Sequence, residues 1–204
     1  MHLIPTQEEV IALLRQTGGL RKGHFEYPGG LHTGEYLQVA LTMGHYESAK
    51  ILSVGLSRLI RAHADLRAMI PELSIVAPAT GGLPVAYGMC EALRARQVFW
   101  AERQHGSDAL QLRQYLEIQS REKILLVDDI LRTGGKLTAL KKLVEDRGGE
   151  VVGIAVVVHQ PVPGAASFGS LPFYSLAQLD GAFYEDAQSC ELCAQGVPLE
   201  KTWA

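Results

Sequence analysis

The chain has few cysteines, little net charge and no hydrophobic run long enough to cross a bilayer. Three cysteines among 204 residues do not make a disulfide framework. A net charge of −3, with 20% charged and 47% hydrophobic residues, argues against disorder and against a general nucleic-acid-binding surface. The first residues, MHLIPTQEEV, are acidic and amphipathic, unlike the basic start of a secretory signal. We therefore expect one cytoplasmic domain with a sizeable core, and no membrane or nucleic-acid partner.

Two of the three cysteines, Cys190 and Cys193, form a C-x-x-C pair. One such pair supplies only half of a four-sulfur zinc site, and no second pair or suitably spaced histidine pair follows it. We therefore favour a surface turn for this segment. A zinc or redox site stays open as the alternative.

The pattern of apolar residues predicts helices that alternate with strands. Helices are predicted at residues 6–16, where Thr6 and Glu9 form a possible capping box, and at 47–63, 83–95 and 136–146. Strands are predicted at residues 73–77, 97–101, 123–127, 150–158 and 173–176. Strands separated by helices imply right-handed crossovers and an α/β fold with a doubly wound, mainly parallel sheet flanked by helices. Ligands of such sheets bind at the carboxyl ends of the strands.

The most informative stretch is KILLVDDILRTGG, residues 123–135. Its four consecutive apolar residues predict a central strand that is buried on both faces. Two adjacent carboxylates follow, Asp128 and Asp129, and a turn ending Thr-Gly-Gly then opens the next helix. The N–H groups of such a turn form an anion cradle, and glycines let a phosphate approach the main chain closely.

The two aspartates would repel a phosphate, but they suit hydroxyl groups or a hard cation such as magnesium. The predicted ligand therefore carries both a phosphate and neighbouring hydroxyls, as a phosphorylated ribose does. A second glycine-containing loop, APATGG at residues 77–82, also joins a predicted strand to a helix and offers another anion cradle on the same rim. Acids that merely cap a helix, and a flexible turn, are the plainer alternatives.

Two acids followed by a short loop ending T-G-G resemble the phosphoribosyl pyrophosphate (PRPP) signature of type I phosphoribosyltransferases. Nucleotide hydrolases also end strands in acids, but they need a G-x-x-x-x-G-K-[ST] loop, which this sequence lacks. The segment KGHFEYPGGLHTGEY, residues 22–36, resembles the N-terminal hood of orotate phosphoribosyltransferases. CELCAQGVPL, residues 190–199, is similar to the C-P-L-C-x-x-G-x-P-L tail of a bacterial and archaeal branch of that family.

The resemblance implies transfer of ribose 5-phosphate from magnesium-bound PRPP to N1 of orotate, giving orotidine 5'-monophosphate and pyrophosphate. It implies magnesium as the cofactor and a homodimer as the assembly. It also implies one phosphoribosyltransferase domain over residues 1–204, with a hood at about 18–45 and a C-terminal tail at 177–204.

The resemblance also assigns site residues. PRPP would be bound by Thr80, Gly81, Gly82, Asp128, Asp129, Ile130, Leu131, Arg132, Thr133, Gly134, Gly135 and Lys136. The two aspartates would hold magnesium directly or indirectly, and would act in catalysis together with Arg103 and His105. The base would be bound by Gly30, Tyr36, Arg132 and Gln160.

Two positions and two segments depart from the family pattern. Pro28 stands where members often carry Lys or Ser, and Gln160 stands where an Arg commonly follows the strand after the PRPP motif. The mobile catalytic loop, AERQHG at residues 101–106, lacks its usual Lys, and LRQY at 112–115 replaces L-R-R-G-[FY]. A phosphoribosyltransferase for another base and a PRPP-sensing regulator without catalysis therefore remain alternatives to orotate transfer.

Overall fold

The computed structural model describes residues 4–107, 109–113 and 115–202. Its helices are α1 (Gln7–Gln16), α2 (Val39–Met43), α3 (Tyr46–Ala62), α4 (Ala64–Met69), α5 (Gly82–Leu93), α6 (Gly135–Asp146) and α7 (Glu191–Ala194), with a 3-10 turn at Ile70–Glu72. Its strands are β1 (Leu20–Glu26), β2 (His32–Leu37), β3 (Ser74–Pro78), β4 (Gln97–Arg103), β5 (Leu110–Leu112), β6 (Lys123–Leu131), β7 (Glu150–His159), β8 (Phe173–Gln178), β9 (Phe183–Tyr184) and β10 (Glu200–Lys201). Among the described residues, no helix is long and apolar enough to cross a membrane.

The larger sheet has six strands in the order β5–β4–β3–β6–β7–β8. All neighbours are parallel except the β4–β5 pair, which is antiparallel. Helix α5 connects β3 to β4, and α6 connects β6 to β7. The two helices pack on opposite faces of the sheet. The predicted α/β fold with a doubly wound, mainly parallel sheet is therefore confirmed. The strand order reverses between β3 and β6, which is where ligands of such sheets bind.

Strand β6 is buried on both faces, as its apolar run predicts. Ile124 and Leu126 belong to the core cluster that also contains Leu137 and Leu140 of α6. Leu125 and Val127 belong to the opposite cluster, which α1, α3 and α5 complete. All four of these strand side chains are fully buried, and burying a side chain of this kind contributes about 1.5 to 3 kcal/mol. The core therefore fixes the strand that carries the two aspartates.

The predicted elements are present with small shifts at their ends. Helix α1 begins at Gln7, and the capping box forms: the Thr6 N–H donates to Glu9 Oε2 at 2.8 Å, and the Glu9 N–H donates to Thr6 Oγ1 at 3.3 Å. The largest difference is in β6, which was expected to end at Val127 but continues to Leu131. Pairing with β7 extends it, since Asp128 lies opposite Val156 in the register. The aspartates are therefore strand residues rather than turn residues.

A second, smaller sheet was not predicted from the sequence. Its four strands have the order β10–β1–β2–β9, so a hairpin from the N-terminal part of the chain pairs on both edges with strands from the C-terminal part. The two outer strands are two residues long, and β1 contains a register shift between Lys22 and Phe25. Neither feature gives a regular alternation of apolar residues.

Candidate functional site

The carboxyl ends of β3 and β6 open into a cleft of about 910 Å³. Asp128 and Asp129 of β6 line it, together with Ala79, Thr80 and Gly81 from the loop after β3. The start of α6 forms a further wall. The cleft thus occupies the position where the strand order reverses.

The two carboxylates are held by main-chain hydrogen bonds. The Asp129 N–H donates to Asp128 Oδ1 at 2.9 Å, and the Ile130 N–H donates to Asp129 Oδ1 at 2.8 Å. Asp128 is only 4% exposed. Burial, and then the adjacent charge of Asp129, raise the pKa of Asp128 well above its ordinary value, while Lys136 opposes the shift. A hydroxyl donor or a cation would relieve this unfavourable pair of charges.

The loop after β3 approaches these carboxylates so closely that a side chain on Gly81 would push the Asp129 carboxylate aside. A Cβ atom on Gly81 would lie 2.8 Å from Asp129 Oδ2, and one on Gly82 would lie 3.2 Å from Asp128 Oδ1. Helix α5 begins at Gly82, so the first N–H groups of the helix lie beside this loop. The arrangement places anion-binding main chain directly beside two hydroxyl-binding carboxylates.

A second anion cradle forms where β6 gives way to α6. Gly134 precedes the helix with φ of 79°, and a Cβ atom there would lie 2.8 Å from Ala166 Cβ. The Gly135 N–H donates to Thr133 Oγ1 at 3.3 Å, and the Ala166 N–H donates to the Thr133 carbonyl at 2.8 Å. Lys136 lies in the first turn of α6 and also lines the cleft. The helix start and the lysine together favour a phosphate at this end.

Arg132 joins the motif to the small sheet. Its Nε donates to Gln160 Oε1 at 2.9 Å, and its Nη2 donates to Tyr27 Oη at 2.8 Å and to the Leu37 carbonyl at 3.1 Å. The guanidinium also lies 4.5 Å from the centre of the Tyr27 ring, within cation–π range. Burial raises the pKa of the Tyr27 hydroxyl, and the positive charge of Arg132 partly offsets that rise.

Gln160 lies behind Arg132 rather than in the wall of the cleft. It is fully buried, and within the described chain its Nε2 has no hydrogen-bond partner. The Cβ of a residue replacing Gly181 would lie 3.1 Å from this nitrogen. Gln160 therefore contacts Arg132, which lines the cleft, without lining the cleft itself.

The structure brings most of the sequence-predicted site residues to the cleft. Those that line it are Thr80, Gly81, Arg103, Asp128, Asp129, Ile130, Leu131, Arg132, Thr133, Gly134, Gly135 and Lys136. Among the described residues, Gly30, Tyr36, Gly82, His105 and Gln160 are not part of the lining. Tyr36 instead packs beside Phe25, with the two ring centres 5.5 Å apart.

The segment expected to form the mobile catalytic loop is partly strand. Arg103 ends β4 and pairs with Leu110 of β5, so residues 101–103 belong to the sheet. His105 follows in an exposed turn. Asp108, in this connection, and Gln114, in the LRQY segment, lie outside the described residues, as do residues 1–3 and 203–204 at the ends of the predicted single domain.

Two aromatic residues of the cleft were missed by the sequence reasoning. Tyr27 and Phe183 line it from the small sheet. Tyr27 lies within the quoted hood segment, so the resemblance contained a signal for it. Phe183 comes from a two-residue strand with no recognisable pattern.

The family model for the phosphoribosyl transferase domain matches residues 49–167. Orotate phosphoribosyltransferase from Carboxydothermus hydrogenoformans is 34% identical over 193 residues, which cover 95% of this chain and 95% of that protein. The enzyme of the same name from Thermus thermophilus is 33% identical over 194 residues, which cover 95% and 99%. The chain belongs to the orotate phosphoribosyltransferase family.

Solved structures confirm the fold. The crystal structure of orotate phosphoribosyltransferase from Aeropyrum pernix has a TM-score of 0.67 at 19% identity, covering 83% of this chain and 93% of that one. Adenine phosphoribosyltransferase from Thermoanaerobacter pseudethanolicus has a TM-score of 0.59 at 17% identity, covering 71% and 88%. At these identities the likeness concerns the fold alone, so the base must be argued from the site.

Replacing both Asp128 and Asp129 by Asn is expected to abolish phosphoribosyl transfer while leaving the fold intact.

Asp128→Asn alone should raise the unfolding temperature of the ligand-free protein at pH 8. The raised pKa means that the folded state holds a proton more tightly than the unfolded state, so wild type loses stability as pH rises above about 4. The advantage of the variant should therefore shrink toward acidic pH in thermal scans.

The control for this experiment is Asp65→Asn, which removes an exposed carboxylate of α4. It should retain transfer and show no comparable pH-dependent gain. Retained turnover in the double variant would contradict the assignment of the carboxylates.

Gly134→Val should weaken PRPP binding by at least about tenfold, because the valine side chain would meet Ala166 and displace the main chain that forms the anion cradle. Isothermal calorimetry with PRPP and magnesium measures the effect. Gly164→Val is the matched control, since Gly164 has φ of 75° but nothing within 4 Å of its Cβ position. Equal loss of affinity in both variants would mean that general backbone strain, and not the cradle, causes it.

Proposed function

We propose that this protein transfers ribose 5-phosphate from PRPP to N1 of orotate, giving orotidine 5'-monophosphate and pyrophosphate. The observation that carries the proposal is a carboxylate pair between two main-chain anion cradles in one cleft. A ribose with a phosphate at one end and a pyrophosphate at the other matches this order of groups. Membership of the orotate phosphoribosyltransferase family supports the same reaction.

In this proposal the 5-phosphate binds at the start of α6, where residues 133–136 offer N–H groups and the Lys136 ammonium. Asp128 and Asp129 accept hydrogen bonds from the ribose hydroxyls, using the oxygens not occupied by the main chain. The pyrophosphate lies beside Thr80 and Gly81, on the side of the cleft that Arg103 also lines. The anomeric carbon is then held between the carboxylates and the base.

Displacement of pyrophosphate passes through an oxocarbenium-like state, so catalysis depends on stabilising charge on the leaving group. The loop of residues 79–82 and the Arg103 guanidinium supply donors oriented before the reaction begins. The geometry requires no covalent nucleophile. Arg103 takes the role of the lysine that the catalytic loop lacks, and His105 would assist only if its turn moved toward the cleft.

Magnesium fits this donor set. Asp128 and Asp129 present adjacent carboxylate oxygens, and burial followed by the neighbouring charge of Asp129 raises the pKa of Asp128, so a cation at this point would offset the cost of its charged form. These residues would hold the ion directly, or indirectly through the ribose hydroxyls. When bound, magnesium would neutralise charge on the pyrophosphate.

The base side of the cleft supports orotate through Arg132. The carboxylate of orotate needs a cationic partner, and the family's usual Arg is replaced here by Gln160. Arg132 lies against Gln160 and lines the cleft, so its charge occupies the region from which the other arginine is missing. Among the described residues, Nη1 of Arg132 has no hydrogen-bond partner, which leaves it available to a ligand carboxylate.

We also propose an assembly, a location and a domain organisation for this protein. We infer a homodimer in the cytoplasm, built from one phosphoribosyltransferase domain over residues 1–204 with the hood at about 18–45 and the tail at 177–204. The small sheet supports this division, because its strands come from both segments.

The proposed reaction is tested by incubating the protein with PRPP, magnesium and one base at a time, and following pyrophosphate release. Orotate should react fastest, and uracil, which lacks the carboxylate, should react more slowly because Arg132 then has no anionic partner. Adenine and hypoxanthine complete the panel. Faster reaction of any of these three bases would favour a different phosphoribosyltransferase, and no release with any base would favour the PRPP-sensing regulator.

Arg132→Ala should raise the Michaelis constant for orotate by about one to two orders of magnitude, since a hydrogen bond to a charged group is worth roughly 1.5 to 3 kcal/mol. The constant for PRPP should rise less. Tyr27→Phe is the matched control: it removes one acceptor of Arg132 but keeps the guanidinium, so its effect on orotate should be smaller. Equal increases for orotate and PRPP in Arg132→Ala would contradict a specific role in base binding.

A further inference from the structure

Four side chains capable of binding a metal converge between the hood and the C-terminal tail, and none of them lines the cleft. They are His24 of β1, His32 of β2, and Cys190 and Cys193 at the start and within α7. One ligand atom from each lies within 4.8 Å of all the others. His24, His32 and Cys190 are at most 4% exposed, and Cys193 is half-buried. The surface turn favoured from the sequence for the C-x-x-C pair is therefore wrong, because the pair faces a buried cluster.

Most of the distances known within this cluster are close to those around tetrahedral zinc. His24 Nε2 lies 3.0 Å from His32 Nδ1, 3.5 Å from Cys190 Sγ and 3.6 Å from Cys193 Sγ, and the His32 Nδ1 to Cys193 Sγ distance is 3.4 Å. Around tetrahedral zinc, with bonds of about 2.0 to 2.1 Å to nitrogen and about 2.3 Å to sulfur, ligand atoms lie about 3.3 to 3.8 Å apart. The three distances that involve sulfur fall within this range, whereas the 3.0 Å between the two nitrogens is shorter, so the imidazoles would have to move slightly apart to bind an ion.

The protein also orients one of the histidines for metal binding. His24 Nδ1 lies 2.8 Å from the Val197 carbonyl oxygen. A carbonyl only accepts, so Nδ1 carries the proton, and in the neutral ring Nε2 directs its lone pair into the cluster. A ligating histidine whose other nitrogen donates to a carbonyl is the usual outer-shell arrangement of protein zinc sites.

We propose that His24, His32, Cys190 and Cys193 bind one structural zinc ion. Two thiolates and two imidazoles in a tetrahedron are a ligand set that suits zinc. Magnesium instead prefers oxygen ligands. Four protein ligands leave no open position, so the ion has a structural role rather than a catalytic one. The C-x-x-C pair provides one half of the site, and the hairpin of β1 and β2 provides the other.

The ion would join two segments that are distant in the sequence but adjacent in the small sheet. Phe25 and Glu26, which follow His24 directly, pair with β10, and His32 pairs with Tyr184 of β9. These pairings involve two residues each, so they are short contacts for holding the tail in place. A zinc ion bonded to both segments would stabilise their association, and with it the position of Tyr27 in the cleft wall.

The test starts from the full chain with Cys90→Ser, which removes the cysteine that lies outside the cluster. This background is purified in a reducing buffer without chelators, and its metal content is measured by elemental analysis. It should contain about one zinc ion per chain, and adding Cys190→Ser with Cys193→Ser should reduce this to below about 0.2. Removal of zinc by a strong chelator should also lower the unfolding temperature of the background protein by about 5 °C or more.

A second measurement does not depend on folding of the cysteine variants. Zinc in the background protein is replaced by cobalt, which should give the visible absorption of a tetrahedral centre and a near-ultraviolet cobalt–thiolate band. Titration with a mercurial reagent should then release the metal as the two remaining thiols react. Zinc content equal in the background and in the variant without Cys190 and Cys193 would overturn the proposal. A Cys190–Cys193 disulfide that persists in the protein purified in reducing buffer would also overturn the proposal. The absence of a cobalt–thiolate band after cobalt loading would do the same.

Discussion

The close approach of two carboxylates to a glycine loop at the junction of β3 and β6 determines the arrangement of the site. A Cβ atom on Gly81 would lie 2.8 Å from Asp129 Oδ2, so a side chain there would displace the carboxylate. The backbone of this loop and the start of α6 consequently face one another across the aspartates. This contact is held by β6, whose apolar residues are buried from both sides. The anion cradles are thus fixed by the core and not by flexible surface segments.

The side of the cleft formed by Arg132 and the hood has a different origin. Arg132 extends from the motif, but its partners Tyr27, Leu37 and Gln160 come from the hood and from the end of β7. A fully buried glutamine destabilises the fold if its side-chain amide makes no hydrogen bonds. Arg132 donates a hydrogen bond to the side-chain oxygen of Gln160. The departure from the family pattern at Gln160 is therefore linked to the arginine at position 132. In our proposal, the positive charge has moved from one element to another while serving the same carboxylate.

Sequence reasoning was most successful where the signal is local and repeated. The apolar runs of β6 and β7, the helical spacing of α3 and the capping box at Thr6 predicted the main sheet and its helices. Most residues of the predicted PRPP site also lie in the cleft, because a short motif at a strand end has a defined location in this fold. The continuation of β6 through Asp128 was missed because a charged residue is not expected in a buried strand.

What the sequence could not provide were contacts between distant segments. The small sheet uses two-residue strands, for which no periodicity exists to detect. The surroundings of Cys190 and Cys193 depend on histidines far upstream: Cys190 and His24 are separated by 166 positions. The sequence pattern was expected to place the histidines after the cysteines, but His24 and His32 precede them in the chain. Only the three-dimensional pairing of β1 and β2 with the tail brings the four side chains together.

The order of strands in the small sheet also affects how the chain can fold while it is being synthesised. Both edges of the β1–β2 hairpin are covered by β9 and β10, which follow all the strands of the large sheet in the chain. A growing chain can therefore assemble β3, β6 and α6 while the hairpin still exposes its backbone edges to other chains. The part of the cleft at the carboxyl ends of β3 and β6 can therefore form before β9 supplies Phe183 to the other part. Until β9 and β10 have been made, the β1–β2 hairpin keeps two unpaired edges, at which a growing chain can mispair.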